Sequence, residues 1–128
     1  MKHQIINPSN GIYAATDDYV HALEVSGANR QLFVSGTMGL NEHGNAPEDL
    51  DEQLELIWSN IDRILCDANM TVANIVRITS YLRKAEYAKR NQAARIRALG
   101  DRRVPTTAIV VATLDPTWLV ELEIVALA

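Results

Sequence analysis

The chain has very little cysteine: Cys66 is the only one among its 128 residues. An intrachain disulfide and a cysteine-rich metal site are therefore excluded, and we expect Cys66 to be a small buried residue. The sequence also lacks any apolar run long enough to cross a membrane, and its first residues lack the apolar core of a signal peptide. These absences favour a cytoplasmic protein with no membrane partner.

An excess of positive charge is also missing. The formal net charge is −4, whereas sequence-independent binding of nucleic acid draws its main energy from basic residues. The basic residues between Lys84 and Arg103 are interrupted by Glu86 and Asp101, a pattern typical of a solvated helix face and loop. We therefore expect no nucleic-acid partner.

The familiar motifs for cofactors and catalysis are absent. The sequence contains no dinucleotide-binding glycine motif, no phosphate-binding loop, no zinc-protease motif and no nucleophile elbow. His3, His21 and His43 stand at unrelated spacing, so we expect no metal site. Nothing in the sequence indicates a cofactor.

The sequence does contain a clear alternation of strand and helix patterns within one domain, residues 1–128. Residues 1–18 are predicted to form a loosely ordered arm. The predicted elements after it are strands Tyr19–Val25 and Gln31–Ser35, a helix that follows Pro47, is capped by Asp49 and ends near Asp67–Asn69, strand Ile75–Leu82, helix Ala85–Leu99, and strands Thr107–Leu114 and Trp118–Leu127. A Gly/Asn turn predicts that the first two strands form a hairpin.

The order β-β-α-β-α-β-β predicts an α+β fold. Two right-handed strand–helix–strand crossovers would place both helices on one face of one mixed sheet. No further helix is available to cover the other face, although large apolar residues such as Val111 and Trp118 occur in its strands. An exposed apolar sheet face is an interface, so we expect a homo-oligomer with sheet packed against sheet.

The last predicted strand carries the most distinctive chemistry of the sequence. Glu121 and Glu123 alternate with Val120, Leu122 and Ile124. One face of the strand is therefore apolar, and the other carries two carboxylates. The alternative interpretation is that both carboxylates simply face solvent.

Several short segments together resemble the Rid (YjgF-type) superfamily. Ser35-Gly36-Thr37 is similar to its S-G-Q segment, and Pro105 followed by Val120-Glu121-Leu122-Glu123 is similar to its closing signature. The remaining matches are to a tyrosine, a glutamine and an asparagine of the family pattern, at Tyr19, Gln53 and Asn91. The resemblance runs along nearly the whole chain.

The resemblance implies a chorismate-mutase-like fold and a homotrimer with a central barrel of sheets and clefts between subunits. It implies hydrolysis of reactive imines or enamines to a carbonyl compound and ammonia, with Glu121 positioning the attacking water. Tyr19, Ser35, Gly36 and Asn91 would line the cleft. An arginine shortly after the proline would hold a substrate carboxylate.

The sequence departs from the family pattern at that arginine. No arginine occurs between Pro105 and Leu114, and Thr106 and Thr107 take its place as candidate substrate-binding residues. Their hydroxyls suit a neutral or differently shaped ligand, whereas Arg102 and Arg103 lie on a loop that substitutes poorly for a rigid strand.

Three hypotheses follow from these residues. The first is a small-molecule hydrolase of the imine deaminase type that uses Glu121. The second is a non-catalytic trimer that binds a small metabolite. The third is an RNA-cleaving relative, which the acidic charge disfavours.

Overall fold

The computed structural model describes residues 1–128. Its strands are β1 Lys2–Ile6, β2 Ala22–Ser26, β3 Gln31–Met38, β4 Ile75–Leu82, β5 Thr106–Val110 and β6 Val120–Leu127. Its α-helices are α1 Leu50–Asp67 and α2 Ala88–Leu99, and one-turn 3-10 helices, Val72–Asn74 and Ala85–Tyr87, precede β4 and α2. The predicted α+β order is confirmed, with one additional strand at the start.

Four strands form a mixed sheet in the order β3-β6-β4-β5. Strand β6 is antiparallel to both β3 and β4, and β5 is parallel to β4. Strands β3 and β4 therefore run in the same direction, so α1 and α2 each connect two strands of equal direction. The two predicted crossovers are present.

Helix α1 begins at its predicted capping residue and buries its predicted apolar stripe. The Asp49 carboxylate accepts a hydrogen bond of 3.0 Å from the Glu52 backbone N–H, which caps the first turn. Trp58 is 8% exposed and lies on the buried stripe of the helix. Asn69 takes a positive φ of 55° just after the helix, a conformation that asparagine tolerates. No helix combines the length and apolar character needed to span a bilayer.

The core lies between the helices and one face of the sheet. Both helices contribute to a single cluster of 18 buried residues, together with the inward side of β4 and β6. Side chains on the opposite face remain accessible: Phe33 is 72% exposed and Ile109 is 44% exposed. The expectation of two helices on one face and an open apolar sheet face is confirmed.

The predicted arm and hairpin at the start of the chain are wrong. Lys2–Ile6 is a strand that pairs antiparallel with β2 in a separate two-stranded sheet. All five of its residues are exposed, and their sequence, KHQII, does not alternate apolar and polar side chains. No sequence pattern therefore indicated this strand. Asn29 and Arg30 donate their backbone N–H groups to the Ala128 carbonyl at 2.8 Å. The turn after β2 is thus held against the end of β6, and β3 pairs with β6 instead of β2.

The connection between β5 and β6 is longer than predicted. Strand β5 ends at Val110, and the Arg83 guanidinium holds the loop that follows. It donates to the Thr113 carbonyl at 3.0 Å and to the Thr113 hydroxyl at 2.9 Å. That hydroxyl donates in turn to the Trp118 carbonyl at 2.7 Å, so β6 begins only at Val120.

Two predictions about single side chains are also wrong. Cys66 is exposed on α1, because it lies on the side of the helix opposite the buried stripe. Arg95, from the cluster expected to be solvated, is 3% exposed and pairs with the Asp18 carboxylate at 2.5 Å. Burial lowers the pKa of Arg95, and the neighbouring Asp18 opposes that shift.

Candidate functional site

The exposed face of the four-stranded sheet carries polar side chains from three strands. The strand register places Glu121 opposite Tyr81, and Glu123 opposite Thr79. Thr79 also pairs with Thr107 on β5. Because directly paired residues project from the same side of a sheet, these five side chains share one surface. The prediction that Glu121 and Glu123 lie on the face opposite the apolar residues of β6 is confirmed.

Gly36 leaves room for the Glu121 carboxylate. The pairing of β3 with β6 shifts register between Val34 and Thr37, so the backbone approaches β6 closely there. A Cβ atom added to Gly36 would lie 2.7 Å from the Glu121 Cδ atom. At Gly39 an added Cβ would lie 2.6 Å from the Gln53 Cα atom. Both glycines therefore stand where a neighbouring residue approaches too closely for a side chain.

The two carboxylates differ in their bonding. The Tyr81 hydroxyl donates to Glu123 Oε1 at 2.9 Å, and this hydrogen bond raises the pKa of the Tyr81 phenol. Glu121 is half-buried, and its carboxylate accepts no hydrogen bond from any side chain or backbone group of the chain. Glu121 is therefore the carboxylate that is free to bind and polarise a water molecule.

Arg77 on β4 is a site residue that sequence analysis missed. Its Nη2 atom donates to the Thr107 hydroxyl at 2.7 Å. Arg77 pairs with Val125 on β6, which puts it on the face that carries Glu121. The alternation of Arg77, Thr79 and Tyr81 along β4 was the available signal.

The two candidate threonines point in opposite directions. Thr107 is exposed on the face of Glu121. Thr106 pairs with the buried Ile78 on the helix-facing side, and its hydroxyl donates to the Val104 carbonyl at 3.1 Å. Of the two, only Thr107 can reach a molecule bound beside Glu121.

Ser35 lies at the free edge of β3. With Gly36 and Thr37 it lines a groove of about 610 Å³ between this strand, the loop near Asn41 and α1. The Ser35 carbonyl accepts a 3.0 Å hydrogen bond from the Thr37 hydroxyl, whereas the Ser35 side chain is exposed. Its hydroxyl is thus available to a ligand or to a neighbouring chain.

Tyr19 and Asn91 are not joined to Glu121 within one chain by any hydrogen bond. Asn91 lies on α2, is 1% exposed, and its Oδ1 atom has no partner. Tyr19 is half-buried with its ring edge-on to His21, 5.9 Å between centroids. The pairing of Asp18 with Arg95 ties the Tyr19 segment to α2, so these two candidates share another region of the subunit.

Arg102 and Arg103 are bound elsewhere. Arg102 donates to the backbone carbonyls of Val72 and Ile75, both at 2.9 Å. Arg103 donates to the carbonyls of Asp17 at 2.6 Å and of Gly100 at 2.8 Å. Both guanidiniums therefore support loops and not the face of Glu121.

One family model covers nearly the whole chain. The model of the family described as Endoribonuclease L-PSP matches residues 10–128. The chain belongs to this family. A RutC family protein from Aquifex aeolicus is 42% identical over 65 residues, a match that spans about half of this chain and half of that relative.

Solved structures of Rid proteins share the fold. YyfB from Yersinia pestis, of the conserved Rid protein family, has a TM-score of 0.86 and 25% identity, with both chains covered completely. RidA from Psychrobacter sp. PAMC 21119 has a TM-score of 0.74 and 21% identity, with 95% of this chain and 98% of that chain covered. The resemblance to the Rid superfamily seen in the sequence is confirmed.

Proposed function

We propose that this L-PSP/Rid family chain is a hydrolase of small imines or enamines, in which Glu121 activates water. The observation that carries the proposal is the Glu121 carboxylate itself. It lies on an accessible sheet face, is fitted against Gly36, and has no hydrogen-bond partner in the chain. The same face carries the hydroxyls of Tyr81, Thr79 and Thr107, which can orient a water and a polar substrate.

The chemistry needs only one base and a protonated imine. Glu121 accepts a proton from water while the water oxygen forms a bond to the imine carbon, and the C=N electron pair moves to nitrogen. A tetrahedral carbinolamine results. Glu121 then transfers its proton to the nitrogen. As the C–N bond breaks and ammonia leaves with the electron pair, Glu121 takes the hydroxyl proton of the carbinolamine and passes it to the ammonia, which yields the carbonyl product and an ammonium ion. Water is the only co-reactant, and Glu121 is again an ionised carboxylate at the end of the reaction.

The proposal includes a homotrimer. Burying an exposed phenylalanine such as Phe33 contributes about 1.5–3 kcal/mol per side chain, which gives the open face a reason to associate. In the trimer, Ser35, Gly36 and Thr107 would line one wall of a cleft, with Thr106 fixing the start of β5. Tyr19 and Asn91 of the adjoining subunit would complete it.

A cytoplasmic location is part of the same proposal. The free thiol of Cys66 is exposed, which suits a reducing compartment.

The decisive experiment is ammonia release from freshly generated 2-aminoacrylate. We expect activity in the wild type, a loss of at least a hundredfold in Glu121→Gln, and no change in Glu55→Gln, a matched control on the exposed side of α1. Equal melting temperatures of the three proteins would show that the change is chemical. An inert wild type, or a fully active Glu121→Gln, contradicts the proposal.

The same preparations separate the two other hypotheses. A metabolite-binding trimer would bind 2-oxo acids without releasing ammonia from any imine. An RNA-cleaving protein would shorten a labelled RNA in proportion to protein added, and Glu121→Gln would then report whether the same carboxylate is involved.

A further inference from the structure

We propose that the cavity between the two-stranded sheet of β1 and β2 and the loop of Arg102 and Arg103 binds a small molecule with a phosphate group on an apolar body. The cavity has a volume of about 400 Å³, and both arginines lie in its wall. None of its lining residues belongs to the four-stranded sheet that carries Glu121. The inference is therefore independent of the proposed hydrolysis.

The first support is positive charge that the chain does not neutralise. Neither Arg102 nor Arg103 has a carboxylate within salt-bridge distance. Burial lowers the pKa of Arg102, and no neighbouring carboxylate opposes that shift. Charged groups removed from water are normally paired with an opposite charge. An anion bound in the cavity would supply the counter-charge that the chain lacks.

The second support is the set of donors that these two guanidiniums keep free. Arg102 donates two of its N–H groups to backbone carbonyls at and before the start of β4. Arg103 donates through Nε and Nη1 to carbonyls of its own loop and of the segment before β2. Nε and half of each Nη group of Arg102, and the whole Nη2 group of Arg103, remain unused. Two guanidiniums fixed in this way suit the several oxygens of a phosphate group.

The third support comes from the opposite wall. The Oδ1 atom of Asn7 accepts a 2.7 Å hydrogen bond from the His21 backbone N–H, which leaves the Asn7 amide nitrogen as a further donor. Ile5, Val20 and Leu23 make the rest of this wall apolar. The volume lies in the range of small-molecule sites. A ligand with one anionic end and one apolar end therefore matches both walls.

Asp101 supplies a variant with the opposite expected effect. It is the one carboxylate in the wall of the cavity, it is exposed, and it lies beyond salt-bridge distance of both arginines. It therefore repels a bound anion without neutralising Arg102 or Arg103. Removing its charge should strengthen binding of the anion.

The test is titration calorimetry of the full chain with phenyl phosphate, inorganic phosphate and benzyl alcohol. These probes carry both features, the anion alone and the apolar body alone. We expect phenyl phosphate to bind more tightly than inorganic phosphate, and benzyl alcohol to give no measurable binding. Arg103→Gln should weaken binding of phenyl phosphate by about ten- to a hundredfold, and Asp101→Asn should strengthen it by about two- to fivefold. Arg63→Gln, which removes a charge from an exposed site on α1, is the control and should bind as the wild type does.

A variant of the apolar wall tests the second half of the ligand. Ile5 is exposed on β1, so its replacement by serine should not disturb the fold. We expect Ile5→Ser to reduce the preference for phenyl phosphate over inorganic phosphate and to leave the binding of inorganic phosphate unchanged. An unchanged preference would overturn the assignment of an apolar body to the ligand.

Three results would refute the phosphate site. They are a wild type that does not bind phenyl phosphate at millimolar concentrations, benzyl alcohol that binds as tightly as phenyl phosphate, and Arg63→Gln that weakens binding as much as Arg103→Gln does. Melting temperatures show whether each variant is folded. If Arg103→Gln is unfolded, Asp101→Asn decides: tighter binding of phenyl phosphate supports the site, and unchanged or weaker binding overturns it.

Discussion

The absence of a side chain at Gly36 leaves space for the Glu121 carboxylate. The atoms that a Cβ at Gly36 would meet belong to the end of the Glu121 side chain, which can swing away. At Gly39 they belong to the backbone of Gln53, which cannot. We predict that Gly36→Ala changes the free energy of unfolding by less than about 1 kcal/mol but lowers ammonia release at least tenfold, whereas Gly39→Ala costs about 1–3 kcal/mol.

Urea denaturation and the ammonia assay on the two variants check this contrast. Gly36→Ala with full activity would mean that the position of the Glu121 carboxylate is not set by β3. Gly39→Ala with wild-type stability would mean that the end of β3 can move away from α1.

At the residue scale, alternation along a strand fixes the face on which a side chain lies, whereas strand pairing fixes which side chains meet on that face. The face of Glu121 follows from its place between Val120 and Leu122. The position of the Arg77 guanidinium depends on Thr107, which lies 30 residues away and becomes its neighbour through the parallel pairing of β4 and β5. No local pattern contains that register.

Gln53 joins the helix layer to the connection that leads into β6. Its side chain is 1% exposed; Nε2 donates to the carbonyls of Pro47 at 2.7 Å and Thr117 at 2.8 Å, and Oε1 accepts from the Leu119 N–H at 3.0 Å. Replacing it with leucine would leave these backbone groups without a partner, at about 1–3 kcal/mol for each group that water cannot reach.

We therefore predict that Gln53→Leu lowers the free energy of unfolding by about 3 kcal/mol or more, measured by urea denaturation. Gln92→Leu, on a less buried part of α2, is the matched control and should change it by less than about 1 kcal/mol. A Gln53→Leu protein as stable as the control would mean that water or a shifted loop replaces the three bonds.

At the element scale, the periodic segments were predicted well and the aperiodic ones were not. Helix α1 and strands β4 and β6 each carry an apolar stripe that matches their burial. Strand β1 is exposed throughout and owes its form to pairing with β2. The loop after β5 is held by Arg83, whose contacts with Thr113 are distant in sequence.

The open sheet face is the feature of the whole molecule that a single chain leaves unexplained. It combines the polar residues around Glu121 with exposed apolar side chains at both edges, Phe33 on β3 and Ile109 on β5. The open face could be predicted from the sequence, because two helices cover only one side of the sheet. The symmetry of the oligomer could not be predicted, because shape complementarity between subunits is not encoded in any local pattern.

If the open sheet face forms the interface of the proposed trimer, replacing Phe33 should weaken the assembly. A lysine in place of Phe33 would lose apolar burial worth about 1.5–3 kcal/mol per subunit and would put a cation into the apolar part of the interface. The isolated subunit should tolerate the change, since Phe33 is 72% exposed. We therefore expect sedimentation equilibrium to give three times the 14.2 kDa chain mass for the wild type and a concentration-dependent, lower mass for Phe33→Lys.

Leu56→Lys, which introduces the same charge on α1 in the helix layer, is the control and should sediment as the wild type does. Because Tyr19 and Asn91 are proposed to reach Glu121 only from a neighbouring subunit, Phe33→Lys should also lose ammonia release in proportion to the trimer that it loses. A wild type that is monomeric and fully active would refute the intersubunit cleft. It would require Glu121, Thr107 and Arg77 of one chain to suffice for the reaction.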